Sequence, residues 1–286
     1  MKFKIFVHPL RPKVQKEKIQ ELLHSLDLKI SETDPDIALI IGGDGTFSYY
    51  GKKLSIPMLF IGVPTNEILG SKSRLAEISL QDLPKTLRRI AKGNYVITER
   101  RMLNVRYGTS AVTSALTDVY LERGLFSGCI RYSISVTSNK IDNKNTNNKS
   151  KSAFIDYVIG NGVIISTSFG SSGYYSYLDR INNPKQKQSE LFDDNKLGVC
   201  HILPTFAKRI LSDGVNYKES VPIRYLVPVS STIKITAIRE ANIRLYGTTV
   251  HSKGVKIAWN KPITVTSSNK TAKIIRLAKM KSNHRL

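Results

Sequence analysis

The stretch "DIALIIGGDGTFSYYG", residues 36–51, constrains the chain more than any other. The unbroken apolar run Ile37–Ile41 reads as a strand buried on both faces, as in a parallel sheet covered by helices. It ends in Gly42-Gly43-Asp44-Gly45-Thr46, and "GTFSYYGKKL" can open a helix. A glycine-rich turn at that junction lets backbone N–H groups approach a phosphate, and the helix N-terminus favours negative charge. Asp44 would repel a bare anion. It makes sense where Mg²⁺ stands between carboxylate and phosphate, or where the carboxylate orients or deprotonates a hydroxyl. Both are ingredients of phosphoryl transfer. The plain alternative is an Asp-Gly β-turn with no ligand. The pattern is neither GxGxxG nor GxxxxGK[ST], which disfavours Rossmann and Walker-type loops.

The surrounding residues extend this α/β grammar to about residue 95. "FKIFV" is a first strand, and "RPKVQKEKIQELLHSLDL" has near-helical apolar spacing. "IPMLFIGV" is a third apolar strand. "SLQDLPKTLRRIAKG" reads as a helix with Ser79 as N-cap, Asp82 at its third position and Gly93 as terminator. After Gly93 the chain changes to short segments rich in Val, Ile, Thr and Tyr, among them "NYVITERRMLNVRY", "SALTDVYLERG", "IRYSISVTS", "AFIDYVIGNGVIIST" and "NIRLYGTTVHSKGVKIAW". The expected fold is an α/β N-terminal domain (1–95), a parallel sheet with flanking helices, followed by an all-β C-terminal domain (96–270). A tail (271–286) returns to the first domain. The polar stretch 138–152 is expected to be a hairpin tip.

At 286 residues and 41% hydrophobic, the chain can bury a sizeable core. The net charge of +22, from 44 Lys+Arg against 22 Asp+Glu, favours anionic partners: nucleotides, nucleic acid or an acidic surface. The lysines are scattered and there is no RNP-type aromatic motif, so neither nucleic acid nor a membrane is an expected partner. No apolar run is long enough to span a bilayer, and the N-terminus lacks signal-peptide grammar, so a cytoplasmic location is expected. Cys129 and Cys200 form no metal or disulfide pattern. His8, His24, His201, His251 and His284 show no metal-ligand spacing, and ordinary surface or satisfied polar roles are expected for them.

A second stretch carries chemistry: "IGNGVIISTSFGSSGYYSY", residues 159–177. It reads as a strand running into a turn of glycines and small hydroxyl residues, which can offer hydroxyls and amides to a ribose, an amide or a pyrophosphate.

The two stretches together resemble a known family. GGDGT after a buried strand is similar to the signature shared by NAD kinases and diacylglycerol/sphingosine-type lipid kinases. Gly160-Asn161-Gly162 followed by Ser166, Thr167, Gly170, Ser171, Ser172, Gly173 and Tyr174 matches, without a gap, the NAD kinase segment G-D-G-x-x-x-S-T-P-T-G-S-T-A-Y. The resemblance implies an ATP-dependent NAD kinase, moving the γ-phosphoryl of ATP onto the 2′-hydroxyl of the adenosine ribose to give NADP. It implies Asp44 as the catalytic residue addressing that hydroxyl. Gly42, Gly43 and Gly45 would give backbone contacts and space for phosphates, and Thr46 would cap the helix or touch a phosphate. Thr117 and Asp118 stand where the family has Asn-Glu and would hold the nucleoside. Ser166, Thr167, Ser171, Ser172 and Tyr174 would shape the adenine and nicotinamide pockets, and Asn161 would be a further substrate-binding residue. The cofactors implied are ATP and Mg²⁺, with no dedicated metal cage, and the assembly implied is a homo-oligomer, a dimer or tetramer. The chain departs from the pattern at Thr117, at Asn161 for Asp, at Pro64-Thr65 for an expected Asn, and at Tyr246-Gly247 for Asp-Gly. The alternatives are a lipid or small-alcohol kinase of the same superfamily, and a nucleotide-binding homologue without catalysis.

Overall fold

The computed structural model describes residues 1–7, 16–63, 73–108, 110–125, 127–138, 152–182, 192–211, 217–218, 220–239, 242–247 and 254–277. The chain divides into two compact units, one formed by Met1–Arg100 with Thr271–Leu286 and the other by Arg101–Lys270. The expected hairpin tip at 138–152 and the Pro64-Thr65 departure fall almost wholly or wholly outside the described residues.

The first unit contains β1 (Lys2–Val7), α1 (Lys16–Ser25), β2 (Lys29–Ile30), β3 (Ile37–Gly42), α2 (Asp44–Gly51), β4 (Met58–Gly62), β5 (Ile78–Ser79), α3 (Leu83–Ala91) and the start of β6 (Tyr95–Tyr107). Its strands run parallel in the order β2-β1-β3-β4, with β5 beside β4. Every residue of β3 and β4 is buried, as the continuous apolar runs require. The core gathers Ile19 and Leu23 of α1, Leu39, Ile41, Leu59 and Ile61 of the sheet, and Leu83, Leu87 and Ile90 of α3. Ser79 heads a 3-10 turn, Leu80–Asp82, that leads into α3. Its hydroxyl donates to the Asp82 carboxylate at 2.6 Å instead of capping a backbone amide. Gly93 ends the segment at φ +74°, a conformation suited to glycine.

Among its described residues the second unit is β-stranded apart from the 3-10 turn Tyr174–Ser176 and the short helix that follows it. It contains β7 (Ser110–Ala115), β8 (Asp118–Glu122), β9 (Ile130–Ser138), β10 (Ser152–Gly160), β11 (Gly162–Ser166), α4 (Tyr177–Asn182), β12 (Lys196–Ile202), β13 (Phe206–Leu211), β14 (Tyr217–Lys218), β15 (Arg224–Pro228), β16 (Ser231–Ala237), β17 (Ile243–Tyr246), β18 (Val255–Ile257) and the opening of β19 (Ile263–Leu277). One antiparallel layer runs β14-β13-β10-β9-β16-β19, and the other runs β15-β12-β11-β8-β17-β18. They share one core, in which Val119, Leu121, Val163 and Ile165 of the second layer meet Tyr132, Ile134, Val136 and Ile233 of the first. β19 opens in this unit, pairing with β16, and its last residues belong to the first unit, where Ile274 lies beside Met58 of β4 in parallel.

Candidate functional site

The residues singled out in the sequence divide between the units. In the first, Gly42 ends β3 and Gly43 is the extended N-cap of α2, at φ −99° and ψ −179°. The Thr46 and Phe47 amides donate to the Gly43 carbonyl at 2.9 and 3.2 Å. Asp44 is the first residue of α2, where the helix dipole favours a carboxylate. It is half-buried, and its Oδ1 accepts the Leu75 amide at 3.0 Å.

Glycine is required at Gly42 for space. A Cβ there would lie 2.6 Å from Thr46 Oγ1 and 2.8 Å from Thr46 Cβ. A Cβ on Gly45 would meet nothing within 4 Å. Thr46 itself is buried against Gly42 at the third position of the helix, while Gly43 takes the N-cap position. The capping role considered for Thr46 is therefore not the one it plays. Beneath it, Phe47 stacks on Phe60 with centroids 4.5 Å apart.

In the second unit, Ser166 closes β11 opposite Asp118 on β8. The Thr117 carbonyl receives the Thr167 amide at 2.8 Å and has Thr167 Oγ1 at 3.0 Å and Ser166 Oγ at 3.4 Å. Thr167 Oγ1 also reaches the Leu116 carbonyl at 2.8 Å, and the Gly170 amide donates to Thr167. A Cβ on Gly170 would fall 2.3 Å from the Thr117 carbonyl oxygen. Thr117, Ser166 and Thr167 are buried, and the Ser166 and Thr167 hydroxyls bind main-chain carbonyls. These hydroxyls build the turn instead of facing outward, because a buried polar group must find a partner.

The half-buried Asp118 carboxylate has Oδ1 3.5 Å from Thr117 Oγ1, and its Oδ2 would be 3.4 Å from a Cβ on Gly173. Asp118, Thr117, Ser166, Thr167 and the Gly170–Gly173 turn therefore come together. Ser171 is buried within that turn, and its Oγ has no hydrogen-bond partner. Ser172 contributes its carbonyl to Ser176 Oγ at 3.0 Å. Tyr174 opens a 3-10 turn and donates its hydroxyl to Glu122 at 2.8 Å.

Asn161 is not among these neighbours. It precedes β11 at the end away from Ser166, roughly 16 Å along the chain from it at the rise of an extended strand. Its amide donates to the Ile202 carbonyl at 2.8 Å, and its own carbonyl accepts from the Arg123 amide at 3.2 Å.

Sequence reasoning missed two groups of residues. The first is a ring cluster beside Asp118. Tyr174 meets Tyr120 edge-on at 5.2 Å, and Tyr120 stacks on Tyr246 at 5.3 Å. Burial, reinforced by the Asp118 and Glu122 charges, pushes the Tyr120 hydroxyl up to about 12. Gly247 fixes this arrangement, since a Cβ there would sit 2.3 Å from the Asp118 carbonyl oxygen. The period-two run Asp118, Tyr120, Glu122 was the available signal. The second group surrounds Asp156, fully buried on β10. Arg209 Nε and Nη2 donate to its two carboxylate oxygens at 2.7 and 2.8 Å, and the Tyr225 hydroxyl donates at 2.7 Å. Burial opposes ionisation of Asp156, but these hydrogen bonds outweigh it and hold the carboxyl below its usual range.

Comparisons with known proteins fit this geometry. No family model matches the chain. It is 28% identical over 200 residues to a protein named NAD kinase from Natranaerobius thermophilus, covering 58% of this chain and 63% of that protein. It is 36% identical over 107 residues to one of the same name from Sulfurisphaera tokodaii, covering 37% of this chain and 40% of that protein. The matches thus span about half the length of these curated relatives. Among solved structures, an NAD kinase from Archaeoglobus fulgidus in complex with ATP superposes with a TM-score of 0.62 at 16% identity, over 98% of this chain and 95% of that one. A yeast NADH kinase complexed with NADH gives 0.66 at 16% identity, over 98% and 84%. The α/β unit followed by a β unit is the fold of these kinases.

Proposed function

We propose that the chain is an ATP-dependent NAD kinase, transferring the γ-phosphoryl of ATP to the 2′-hydroxyl of the adenosine ribose of NAD to give NADP. The observation that carries this reading is the placement of Asp44. Its carboxylate sits on the first residue of α2, at a glycine turn with open space above Gly45, and is held by the Leu75 amide. A fixed carboxylate at a helix N-terminus is suited to orient or deprotonate an acceptor hydroxyl beside a phosphate site. The named relatives and the shared fold support the same reading.

In this assignment Gly43 and Gly45 offer backbone contacts and room to phosphates, and Gly42 with Thr46 sets the turn. Asp118 accepts from a ribose or base, Thr117, Ser166 and Thr167 hold the turn that carries Ser171 and Ser172, and Tyr174 walls the pocket. Among the described residues no three His, Cys, Asp or Glu side chains cluster as a metal cage. A Mg²⁺ ion carried by the triphosphate needs only one or two carboxylates, so Asp44 fits it as a ligand or a neighbour. When bound, the ion would supply charge neutralisation on the transferring phosphoryl group. A homo-oligomer belongs to the same reading.

The test is an assay of the purified chain with NAD or NADH crossed with ATP or polyphosphate, scored for the 2′-phosphorylated product, with light scattering for its mass. Product with the wild type and none with Asp44→Asn is the expected result. Binding of NAD without any product under all four conditions would remove the enzyme reading.

A further inference from the structure

His201 lies on β12 with its side chain fully buried, between the Asp156 cluster and the start of β11. Its Nδ1 is 3.0 Å from the Tyr132 hydroxyl, which lies 2.6 Å from the Gly162 carbonyl. Its Nε2 has no hydrogen-bond partner and faces Asp156 Oδ2 at 3.8 Å. The neighbouring residue on the same strand, Ile202, accepts the Asn161 amide. The His201 carbonyl accepts the Tyr177 hydroxyl at 2.6 Å, three residues beyond Tyr174. One side chain thus stands behind both the Asn161–Gly162 corner and the segment after the Ser/Gly turn.

Hydrogen counting decides what this contact can do. Tyr132 has one hydroxyl hydrogen, and burial pushes its ionisation far up, so it keeps that hydrogen. If Tyr132 donates to Gly162, then His201 Nδ1 must be the donor to Tyr132. In the neutral ring, Nε2 then presents a lone pair to the Asp156 carboxylate. In the other tautomer Nε2–H faces Asp156, but Nδ1 must take the Tyr132 hydrogen, and Gly162 loses its donor. Only the ring with hydrogens on both nitrogens serves both partners.

We propose that His201 is a positioning residue whose protonation against Asp156 locks the Asn161–Gly162 corner through Tyr132. The groups facing it are Tyr132 on β9, Asp156 on β10, Arg209 on β13, Tyr225 on β15, Tyr177 of α4, and Cys200 on its own strand. Arg209 is engaged bidentately by Asp156, and burial pushes the Cys200 thiol up to about 12, so the placement of hydrogens on the two His201 nitrogens decides how the cluster is bonded. When the ring loses a proton, the Asp156 carboxylate favours the tautomer that keeps the hydrogen on Nε2; Nδ1 then takes the Tyr132 hydrogen and the corner loses its bond at Gly162. The effect on NAD binding rests on the kinase reading together with the substrate contact that the family resemblance implies for Asn161. The proton-linked change at the corner does not.

The test follows the imidazole nitrogens of His201 and the Asn161 amide by NMR on the full chain, between about pH 5 and pH 9. The Asn161 signal should titrate with the His201 midpoint in the wild type and become flat in Tyr132→Phe. In parallel, the KM for NAD should rise about tenfold across that midpoint, with kcat changing less than about twofold, and Tyr132→Phe should remove the rise. A His201 ring that keeps one protonation state, or an Asn161 amide indifferent to its titration, would overturn the proposal. If the wild type forms no NADP, the kinase reading fails while the NMR arm still decides this one.

Discussion

The Asp44 carboxylate and the Leu75 amide are joined at 3.0 Å, and this bond aims the one acid of the glycine turn. Asparagine can accept the same bond but cannot take a proton. Asp44→Asn is expected to keep its melting temperature within a few degrees while NADP formation falls about a hundred- to ten-thousandfold. Calorimetry beside a product assay checks both halves. A variant that loses fold and turnover together would show that the acid is structural.

Gly42 and Gly45 are expected to respond oppositely. Gly42→Ala drives a methyl into Thr46 and should cost about 1–3 kcal/mol, with partial recovery in the Gly42→Ala/Thr46→Ala double variant. Gly45→Ala adds a methyl to open space within a helix and should be neutral or stabilising by about 0.5–1 kcal/mol. If that space belongs to a phosphate, the same change raises the KM for ATP. Urea titrations and steady-state kinetics on the three variants separate these effects.

Asp156→Asn leaves the partly buried Arg209 without its counter-charge and should destabilise the β unit by about 2–4 kcal/mol. The wild-type linkage has a definite sign. Because the folded carboxyl lies below its unfolded value, its contribution is complete above roughly pH 4 and lost as pH falls through the folded value. Stability measured against pH should therefore show an acid loss in the wild type that the variant lacks.

Lys52 follows α2, half-buried, and burial, helped by the Lys53 charge, lowers it to about 8. At pH 8 near half of its amine is neutral. It should acylate roughly tenfold faster than an ordinary exposed lysine under a limiting amine-reactive ester. Peptide mapping by mass spectrometry reads the order of labelling, and a late-reacting Lys52 would contradict the burial.

What could be read from sequence followed from local repetition. The buried runs at Ile37–Ile41 and Met58–Ile61 announced parallel strands, and GGDGT announced the turn. The β-branched segments after Gly93 announced the second unit's strands. What escaped depended on pairing across distance. Asp156 and His201 are 45 residues apart on strands that are not neighbours in either layer. Nothing local marks His201 as different from His24 on α1. The alternation along β10, with Asp156 and Val158 both buried, was the one local signal for a carboxylate on the core side. The Ser166 and Thr167 hydroxyls looked available for ligand because their backbone partners, Leu116 and Thr117, lie some fifty residues earlier.

β19 has a consequence for how the protein is made. Residues emerge from the ribosome in order, and the first unit's core includes Ile275, with Ile274 laid against Met58 of β4. Until those residues emerge, β4 lacks part of its neighbour, although β1, β3 and the helices have long been available. The β unit, by contrast, has its whole span by Lys270. The nascent chain is thus expected to complete its middle before its beginning, and truncations ending before Thr271 should leave the GGDGT unit the less stable of the two.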